Sequence, residues 1–563
     1  MGVGIAAAGL GQTWSHNHAT SLRQTGVAGA AGSTARILFG NGSVRAFDWN
    51  ATNSTWASLN TADTLVANAQ GLLYKRADDD TAWQFDSAGK LLTVTQRNGW
   101  VTTYIYSTVN TPAGIAPAPG LLISVSNQFG RSLSFAYNGA SQLISVTQPD
   151  GRVISYGYDG TAITSRLTTV AYPANTGTVT KTYLYESTSF PQLVTGIVDE
   201  NASRLATVAY DNQGRAISSG YALNAGLYDV SYPASPGVGT TVTDPLGTTR
   251  TYSYGTAAGK LAVTAADKLS GSGNSSAASR VQDTNGFVTQ ETDFLGVTTM
   301  YTWDINRRLP LTTTEATALP EARTTSTQWH PTLRLPVLVT ETGRTTAYSY
   351  DGAGNMLSMT VTDTTTALAR TTSWTYNAQG LVATEISPNG VVARTYAYYP
   401  TSSFGGAVPN ETGHTAGDLQ TITNAAGHVT QFTQYDRAGR VRQMVDPKGV
   451  VTDTTYTPRG WTSSVTVTPP GGAARTTSYS YDNAGQMTGA TLPDGTTLGY
   501  SYDAAHRLTG ITDTKGNTIT YTLDNAGNKT GEQVKDASNN LQRNITRIYD
   551  ALNRVQQVTG ASN

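Results

Sequence analysis

The sequence of 563 residues contains no cysteine and little charge, because only 13% of its residues are Asp, Glu, Lys or Arg. Without cysteine the chain can form neither a disulfide framework nor a thiolate zinc site. The formal net charge is −1, whereas proteins that bind nucleic acid generally carry a surplus of basic residues. The composition therefore excludes a disulfide scaffold and argues against a nucleic-acid partner.

Long apolar runs are also missing from the sequence. No stretch approaches the roughly 20 apolar residues that cross a bilayer as a helix, so we expect no membrane insertion. Residues 1–10 are apolar, but the first basic residue is Arg23, and this start lacks the positively charged region of a signal peptide. We expect either that the chain leaves the cell by another route or that it is a piece of a longer protein.

Glycine (57) and tyrosine (30) are abundant and recur at a fixed interval. Tyr481, Tyr502 and Leu523 lie 21 positions apart, and each is followed by Asp. A period of about 20 to 50 residues is typical of repeat architectures. Because repeats stack into one body, this period overrides a domain count based on length alone.

One repeat has the pattern of a β-hairpin. Asp followed three residues later by Gly indicates a tight turn, since Asp bonds the backbone ahead of it and Gly accepts positive φ. Between turns, apolar and polar residues alternate: Ile519, Tyr521 and Leu523 share one face of a strand, and three threonines share the other. This period of two predicts half-buried strands. No segment has a sustained helical period, so the predicted fold class is all-β.

The repeat is recognisable from Phe85-Asp86 to the end of the sequence. Residues 1–84 contain strand-like pieces without a clean repeat, and we interpret them as an atypical N-terminal cap segment that covers an exposed end of the sheet. The least regular patch inside residues 85–563 is 264–285, and its Gly- and Ser-rich run 270–276 predicts a loop on one rim. An aromatic–x–aromatic sequence ends the second strand of many repeats, at 104/106, 156/158, 183/185, 252/254, 301/303, 348/350, 374/376, 396/398, 479/481 and 500/502.

Two copies carry a resemblance to a known family. Residues 435–441 read Tyr-Asp-Arg-Ala-Gly-Arg-Val and residues 210–215 read Tyr-Asp-Asn-Gln-Gly-Arg. With the following strand, the Asp-x-x-Gly turn and a strand ending Tyr-x-Tyr-Asp, they resemble the YD repeat of rearrangement-hotspot (Rhs) proteins. The resemblance is strong over 85–563 and weak over 1–84, where Trp14-Ser-His16-Asn is similar to a stretch that precedes the repeats in that family.

The resemblance implies YD-repeat β-hairpins stacked into one long sheet that is wound into a hollow shell or barrel. Bacterial members enclose a C-terminal toxin in this shell, and relatives are found in insecticidal toxin complexes and in the teneurins of animal cells. Bacterial shells usually end with an Asp-Pro-x-Gly-x-x-Asp motif whose aspartates cut off the toxin. Nothing after Asp550 matches this motif and no toxin domain follows, so we expect neither self-cleavage nor toxicity from this chain.

Few residues suggest chemistry. His16 and His18 lie two apart and could bind a metal, but no acidic residue precedes Asp48, and we interpret them as polar cap residues. Residues 78–80 are three aspartates that could hold a cation, although an exposed turn is the simpler interpretation. His506 takes the glycine position of a turn. The sequence therefore predicts no catalytic residue, no cofactor and no metal site.

The tyrosine stripes allow two interpretations. They could form a platform for sugars, or they could be cross-strand ladders that hold neighbouring repeats together. We favour the ladders, because aromatic pairs on one face of a sheet contribute roughly 0.2 to 1 kcal/mol each.

These observations predict a non-catalytic structural shell of a bacterial Rhs-type toxin system, secreted, that encloses or presents a toxin cargo or a C-terminal partner segment. The alternative is an extracellular adhesin or filament-forming module that binds glycans or self-associates through its sheet edges. An enzyme is the least favoured interpretation. A toxin gene and an immunity gene downstream would support the shell, whereas a lone secreted reading frame would support the adhesin or filament.

Overall fold

The computed structural model describes residues 9–26, 29–58, 60–162, 164–233, 239–269, 277–406 and 411–562. Among these residues the regular structure is β-strand, apart from one 3₁₀ turn at Ala222–Asn224. None of the described segments forms a helix long and apolar enough to cross a bilayer. The all-β prediction is confirmed.

The first four strands form a small antiparallel sheet: β1 (Ser21–Thr25), β2 (Thr34–Leu38), β3 (Val44–Asn50) and β4 (Thr55–Ala57). All later strands belong to one long antiparallel sheet. Its first half comprises β5 (Thr64–Asn68), β6 (Gly71–Lys75), β7 (Ala82–Phe85), β8 (Leu91–Thr95), β9 (Val101–Tyr106), β10 (Leu122–Ser126), β11 (Ser132–Tyr137), β12 (Leu143–Thr147), β13 (Val153–Tyr158), β14 (Leu167–Pro173), β15 (Thr178–Leu184), β16 (Gly196–Val198), β17 (Arg204–Tyr210), β18 (Ala216–Tyr221), β19 (Tyr228–Ser231), β20 (Thr240–Thr243), β21 (Thr249–Ala257), β22 (Lys260–Ala266), β23 (Ala277–Gln282), β24 (Val288–Asp293), β25 (Thr298–Asp304) and β26 (Leu309–Glu315).

Its second half comprises β27 (Arg323–Trp329), β28 (Pro336–Glu341), β29 (Arg344–Tyr350), β30 (Met356–Asp363), β31 (Ala369–Tyr376), β32 (Val382–Ile386), β33 (Val392–Tyr398), β34 (Ser403–Gly405), β35 (Thr412–His414), β36 (Leu419–Asn424), β37 (Val429–Tyr435), β38 (Val441–Val445), β39 (Val451–Tyr456), β40 (Thr462–Thr468), β41 (Arg475–Tyr481), β42 (Met487–Thr491), β43 (Thr497–Tyr502), β44 (Leu508–Asp513), β45 (Thr518–Leu523), β46 (Lys529–Lys535), β47 (Leu541–Tyr549) and β48 (Val555–Ser562).

Within the long sheet each strand pairs with its neighbours in sequence, so the sheet is a band of hairpins. The exception lies at β33, which pairs directly with β36, while β34 and β35 form a side hairpin whose second strand touches β37. In the part of the chain that the structure describes, no register pairs β48 with β5. The band is therefore open at its two ends.

The turn at 351–355 shows why the repeat needs its motif. Gly354 has a φ of 77° and donates its N–H to the carbonyl oxygen of Asp351 at 3.0 Å. Asp351 Oδ1 accepts the backbone N–H groups of Ala353 and Asn355, both at 2.9 Å, and its Oδ2 accepts the Asn355 amide. The strand register shifts at Tyr350. This is a tight turn with a left-handed glycine and an adjacent bulge, which ends one strand and starts the next.

The tyrosine before each turn reaches the preceding repeat. Tyr350 donates its hydroxyl hydrogen to the carbonyl oxygen of Pro336 at 2.8 Å, and Tyr502 donates to Met487 at 2.9 Å. Because the accepting residue lies just beyond the previous turn of the same rim, the phenol links two successive turns. The same bond is made by tyrosines 106, 137, 158, 185, 210, 232, 376, 398, 435, 456, 481 and 549.

The band winds around and meets itself. Arg334 donates its backbone N–H to Asp80 from 254 residues further along the chain, and His506 reaches Asp199 across 307 residues. We call strands β6–β19 the first coil and strands β27–β46 the second coil. The exposed area is 29155 Å², against about 19,000 Å² for a compact protein of this length. The predicted hairpin shell is confirmed, and its wall is thin.

The densest packing lies where the N-terminal residues meet the first coil. Leu22, Ile37 and Phe47 share one buried cluster with Tyr74 and Phe135 of the long sheet. The long sheet itself begins at β5, before residue 85, because β5 pairs with β6, β6 with β7 and β7 with β8. The division into a cap at 1–84 and a shell at 85–563 stays a prediction. The expected rim loop at 270–276 lies outside the described residues.

A thin wall wound on itself has a measurable consequence for overall size. Small-angle X-ray scattering should give a radius of gyration above about 24 Å, which is the value for a compact domain of 563 residues. A radius at or below the compact value would contradict the coiled band.

Tyr502→Phe should lower the free energy of unfolding by roughly 0.5 to 1.5 kcal/mol, because the Met487 carbonyl loses its hydrogen-bond donor. Urea unfolding followed by circular dichroism measures this. Tyr500→Phe is the matched control, since Tyr500 lies on the same strand and face and its hydroxyl has no bonding partner among the described residues. Equal losses in the two variants would show that the hydroxyl bond contributes nothing.

Candidate functional site: the seam between the coils

The two coils meet turn to turn. In an antiparallel band, consecutive turns alternate between the two rims. The contacts join turns such as β12–β13 and β16–β17 of the first coil to turns such as β37–β38 and β43–β44 of the second coil, so opposite rims of the band meet. We call this line the seam. Its first-coil members are Asp80, Trp100, Arg131, Asp150, Asp199, Glu200 and Asn201, and its second-coil members are Arg334, Gln379, Asp418, Arg440, Arg459, Asp482 and His506.

Arg440 connects its own turn to the other coil. Its Nε donates to Asp436 Oδ2 at 2.6 Å, which is the bond that the Arg of the YD motif makes within its turn. Its Nη2 donates to Asp150 Oδ2 at 3.0 Å, and Arg152 binds the same oxygen at 2.8 Å. The Asp150 side chain is 1% exposed. One motif arginine therefore holds a turn and closes the seam.

A second tie lies one hairpin away. Arg131 Nη2 lies 2.6 and 2.8 Å from the two carboxylate oxygens of Asp418. Asp418 also accepts the backbone N–H of Thr415 at 2.7 Å, so its carboxylate is held on its own coil as well. Trp100 adds a neutral contact, since its indole N–H donates to the carbonyl oxygen of Gln379 at 2.8 Å.

The turn Asp199–Asn201 makes the densest set of seam contacts. His506 Nε2 lies 2.7 Å from Asp199 Oδ2, Arg459 Nη2 donates to Glu200 Oε1 at 2.9 Å, and Asn201 donates to Asp482 at 3.0 Å. Three successive residues of one turn thus contact three successive repeats of the second coil.

The seam differs physically from the rest of the wall. Within a coil, backbone hydrogen bonds join every pair of strands, whereas no strand pairing crosses the seam among the described residues. The side chains of Asp199 and Glu200 are each 2% exposed, and an unpaired buried charge costs several kcal/mol. Arg459 of the second coil therefore adds a charged partner for Glu200 to the one that Lys181 supplies from the first coil.

Two titratable groups near the seam, Tyr183 and Asp503, have pKa values shifted by their surroundings. Burial, assisted by nearby tyrosines and Glu200, raises the pKa of Tyr183 to about 12. Burial alone would raise the pKa of Asp503, but the Arg507 guanidinium and the turn N–H groups bond its carboxylate and hold its pKa below the usual value. These phenols are neutral and these carboxylates charged, so neither is poised for proton transfer near pH 7.

The structure places the histidines of the sequence analysis in two different settings. His16 and His18 lie with ring centroids 6.4 Å apart, both beside Phe135, and burial lowers the pKa of His18. No group of three or more His, Asp or Glu residues in the described ranges is arranged to hold a metal. His506 does take a turn position with a φ of 63°, but its ring also belongs to the seam.

The aspartates at 78–80 also separate. Asp80 Oδ2 accepts Arg97 Nε at 2.9 Å and the Arg334 backbone N–H at 3.0 Å, so Asp80 is a seam residue. Asp78 and Asp79 instead pair with the neighbouring Arg76.

Sequence reasoning missed the seam partners, although a signal was present. Asp150, Glu200 and Arg459 all occupy the two variable positions inside a four-residue turn, where many other repeats have neutral residues. A charge at these positions is not needed to make the turn. The signal is not specific, however, because Lys448, Asp494 and Lys515 occupy the same positions in turns that are not members of the seam.

Comparison with solved structures gives weak global similarity. The chain is similar to a complex of TcdB2, TccC3 and Cdc42 (12% identity, TM-score 0.47, covering 93% of this chain and 29% of that one). It is also similar to a TcdB2–TccC3 complex (15%, 0.45, 94% and 30%) and to the Photorhabdus luminescens Tc holotoxin pore (14%, 0.40, 93% and 26%). The chain spans about three tenths of the length of these proteins. No curated protein matches the sequence.

The repeats themselves match a known family. Residues 137–176, 414–452, 456–497 and 502–538 match the family described as RHS Repeat. These stretches come from both coils, and their tyrosines and turn aspartates make the contacts described above. These four stretches are accordingly RHS repeats, as the resemblance of the Tyr-Asp motifs implies.

Proposed function

We propose that this chain is the non-catalytic wall of a secreted bacterial Rhs-type toxin system, and that it encloses or presents a toxin cargo or a C-terminal partner segment. The observation that carries the proposal is the seam, since a band that closes on itself through buried ion pairs separates an inside from an outside. The RHS repeats of both coils support the same conclusion.

The packing of the N-terminal residues suggests which face meets the cargo. These residues lie on the face of the first coil that carries Tyr104, Phe135 and Tyr137. The corresponding face of the second coil carries half-buried aromatic rings such as Trp329 and Tyr376. We infer that cargo contacts this aromatic face, because a partly unfolded polypeptide has apolar side chains to bury there.

Protection of a fused polypeptide tests the enclosure. A destabilised dihydrofolate reductase variant attached after Asn563 should be cut by proteinase K more slowly than the same variant alone. A mixture of the unfused shell and the variant is the control for general competition. Cutting of the fused and free polypeptide at the same rate would overturn enclosure.

Arg440→Gln should destabilise the shell more than Arg215→Gln does. Both arginines bond the aspartate of their own turn and lie over a tyrosine ring, but only Arg440 binds across the seam. The extra loss should be roughly 1.5 to 3 kcal/mol, the contribution of a hydrogen bond to a charged group. Denaturant unfolding measures the loss, and hydrogen exchange should locate the additional opening at the turn around Asp150. Identical losses of unfolding free energy in the two variants would show that the contact of Arg440 across the seam does not stabilise the shell.

Acid should destabilise the wall at its turns. The Asn517 amide holds the pKa of Asp513 below its usual value, and the Arg554 backbone N–H does the same for Asp550. A carboxylate with a lower pKa in the folded state stabilises the fold above the unfolded value of about 3.9 and loses this contribution as pH falls through the folded value. The urea concentration at the unfolding midpoint should therefore decrease as the pH is lowered below about 4. The decrease should be smaller in Asp513→Asn, which cannot titrate.

A further inference from the structure

A cleft opens on the seam where a hairpin of the first coil projects toward the second. Its first wall is the tip between β14 and β15, with Asn175 and Thr176. Its second wall is formed by the turn before β40 and by strand β41. The cleft has a volume of about 390 Å³, within the size range of small-molecule pockets. Because each coil supplies one wall, the cleft exists only when the seam is closed.

Three aromatic rings form the second wall. The register pairs Ser464 with Ser478, so Tyr479 and Tyr481 lie on the same face as Trp461. The rings of Trp461 and Tyr481 are 5.3 Å apart, and Tyr481 is fixed by its bond to the Thr462 carbonyl. Within the described ranges nothing hydrogen-bonds the hydroxyl of Tyr479, which is half-buried and lines the cleft. The hydroxyl of Tyr479 can therefore still form a hydrogen bond with a ligand.

The charged groups beside this wall are already neutralised. Arg459 lies over the rings of Trp461 and Tyr172 at 4.6 and 4.3 Å, and its two terminal nitrogens donate to Asn483 and Glu200. The Asp482 carboxylate accepts the side-chain amides of Gln486 and Asn201. A phosphate or a cation would therefore find no uncompensated partner here. The remaining polar groups of the cleft, on Asn175, Thr176 and Ser463, are neutral hydroxyls and amides.

Such a wall fits a molecule with an apolar face and a rim of hydroxyl groups. We propose that this cleft binds a neutral sugar, with a pyranose ring stacked on Tyr479 and its hydroxyls bonded by the side chains of the hairpin tip. Aromatic rings attract the positively polarised C–H groups of a face laid against them, and the neutral groups opposite supply donors and acceptors. This binding activity goes beyond the proposed wall function. Since the ligand would touch both coils, its binding would also stabilise the closed seam.

Titration calorimetry with cellobiose, maltose, lactose and N,N′-diacetylchitobiose tests the proposal. At least one disaccharide should bind, and Tyr479→Ala should weaken binding by at least tenfold. Tyr500→Ala is the matched control, because Tyr500 occupies the same repeat position 21 residues later and is not part of the cleft; it should bind as the unmodified chain does. Thr176→Ala, on the opposite wall, should weaken binding several-fold.

Circular dichroism of each variant shows whether its sheet is intact, and Tyr479→Phe keeps the ring if Tyr479→Ala fails to fold. With the ring retained, Tyr479→Phe should bind within a few-fold of the unmodified chain. The proposal is overturned if none of the four disaccharides binds. It is equally overturned if Tyr479→Ala and Tyr500→Ala weaken disaccharide binding by the same factor. Neither result would affect the enclosure of cargo, which protease protection measures separately.

Discussion

The structure depends on one electrostatic constraint: carboxylates buried where the two coils meet need polar partners, and the opposite coil supplies part of them. Asp150, Asp199 and Glu200 are almost fully removed from solvent, and each has a basic partner more than 250 residues away in the chain. Among the described residues no strand pairing supplies this closure, because the two coils meet through their turns. Single backbone bonds do cross, from the Arg334 N–H to Asp80 and from the Gly226 N–H to the Asn525 carbonyl oxygen. Charged side chains supply further contacts, and burial makes them selective for the correct register.

The repeat motif fixes the residues that make each turn and leaves two residues of that turn variable. The aspartate, the glycine and the residue after the glycine make the turn, and the preceding tyrosine ties that turn to the one before. The two variable residues inside the turn are free of these duties, and at Glu200, Asn201 and Arg459 they carry seam contacts. Asp199, Arg440 and His506 occupy fixed turn positions and contact the other coil as well. The band can therefore keep one hairpin design throughout while its turns differ in what they bind.

This division explains what the sequence could and could not predict. The hairpin, its turns, the ladder role of tyrosines such as Tyr350 and the fold class follow from local patterns, because each contact spans about one repeat. The start of the long sheet at Thr64 escaped detection because β5 and β6 contain consecutive apolar residues and lack the Tyr-Asp motif. The seam could not be predicted, since the partner of Asp150 depends on how many strands complete one coil. That number is set by the accumulated twist and bulges of the band, not by any single repeat.

The tyrosines divide between ladder and platform according to the bond that each hydroxyl makes. A ring whose hydroxyl bonds the preceding repeat, as in Tyr481, is committed to the wall. The tyrosine two positions earlier on the strand, such as Tyr479 or Tyr500, makes no such bond and shares the same face. Its surroundings then depend on the curvature of the band and on what lies opposite. Tyr500 is not among the residues that line the cleft, whereas Tyr479 faces a hairpin tip from the first coil. Repetition thus supplies many equivalent rings, and coiling makes one of them different by bringing a second wall to it.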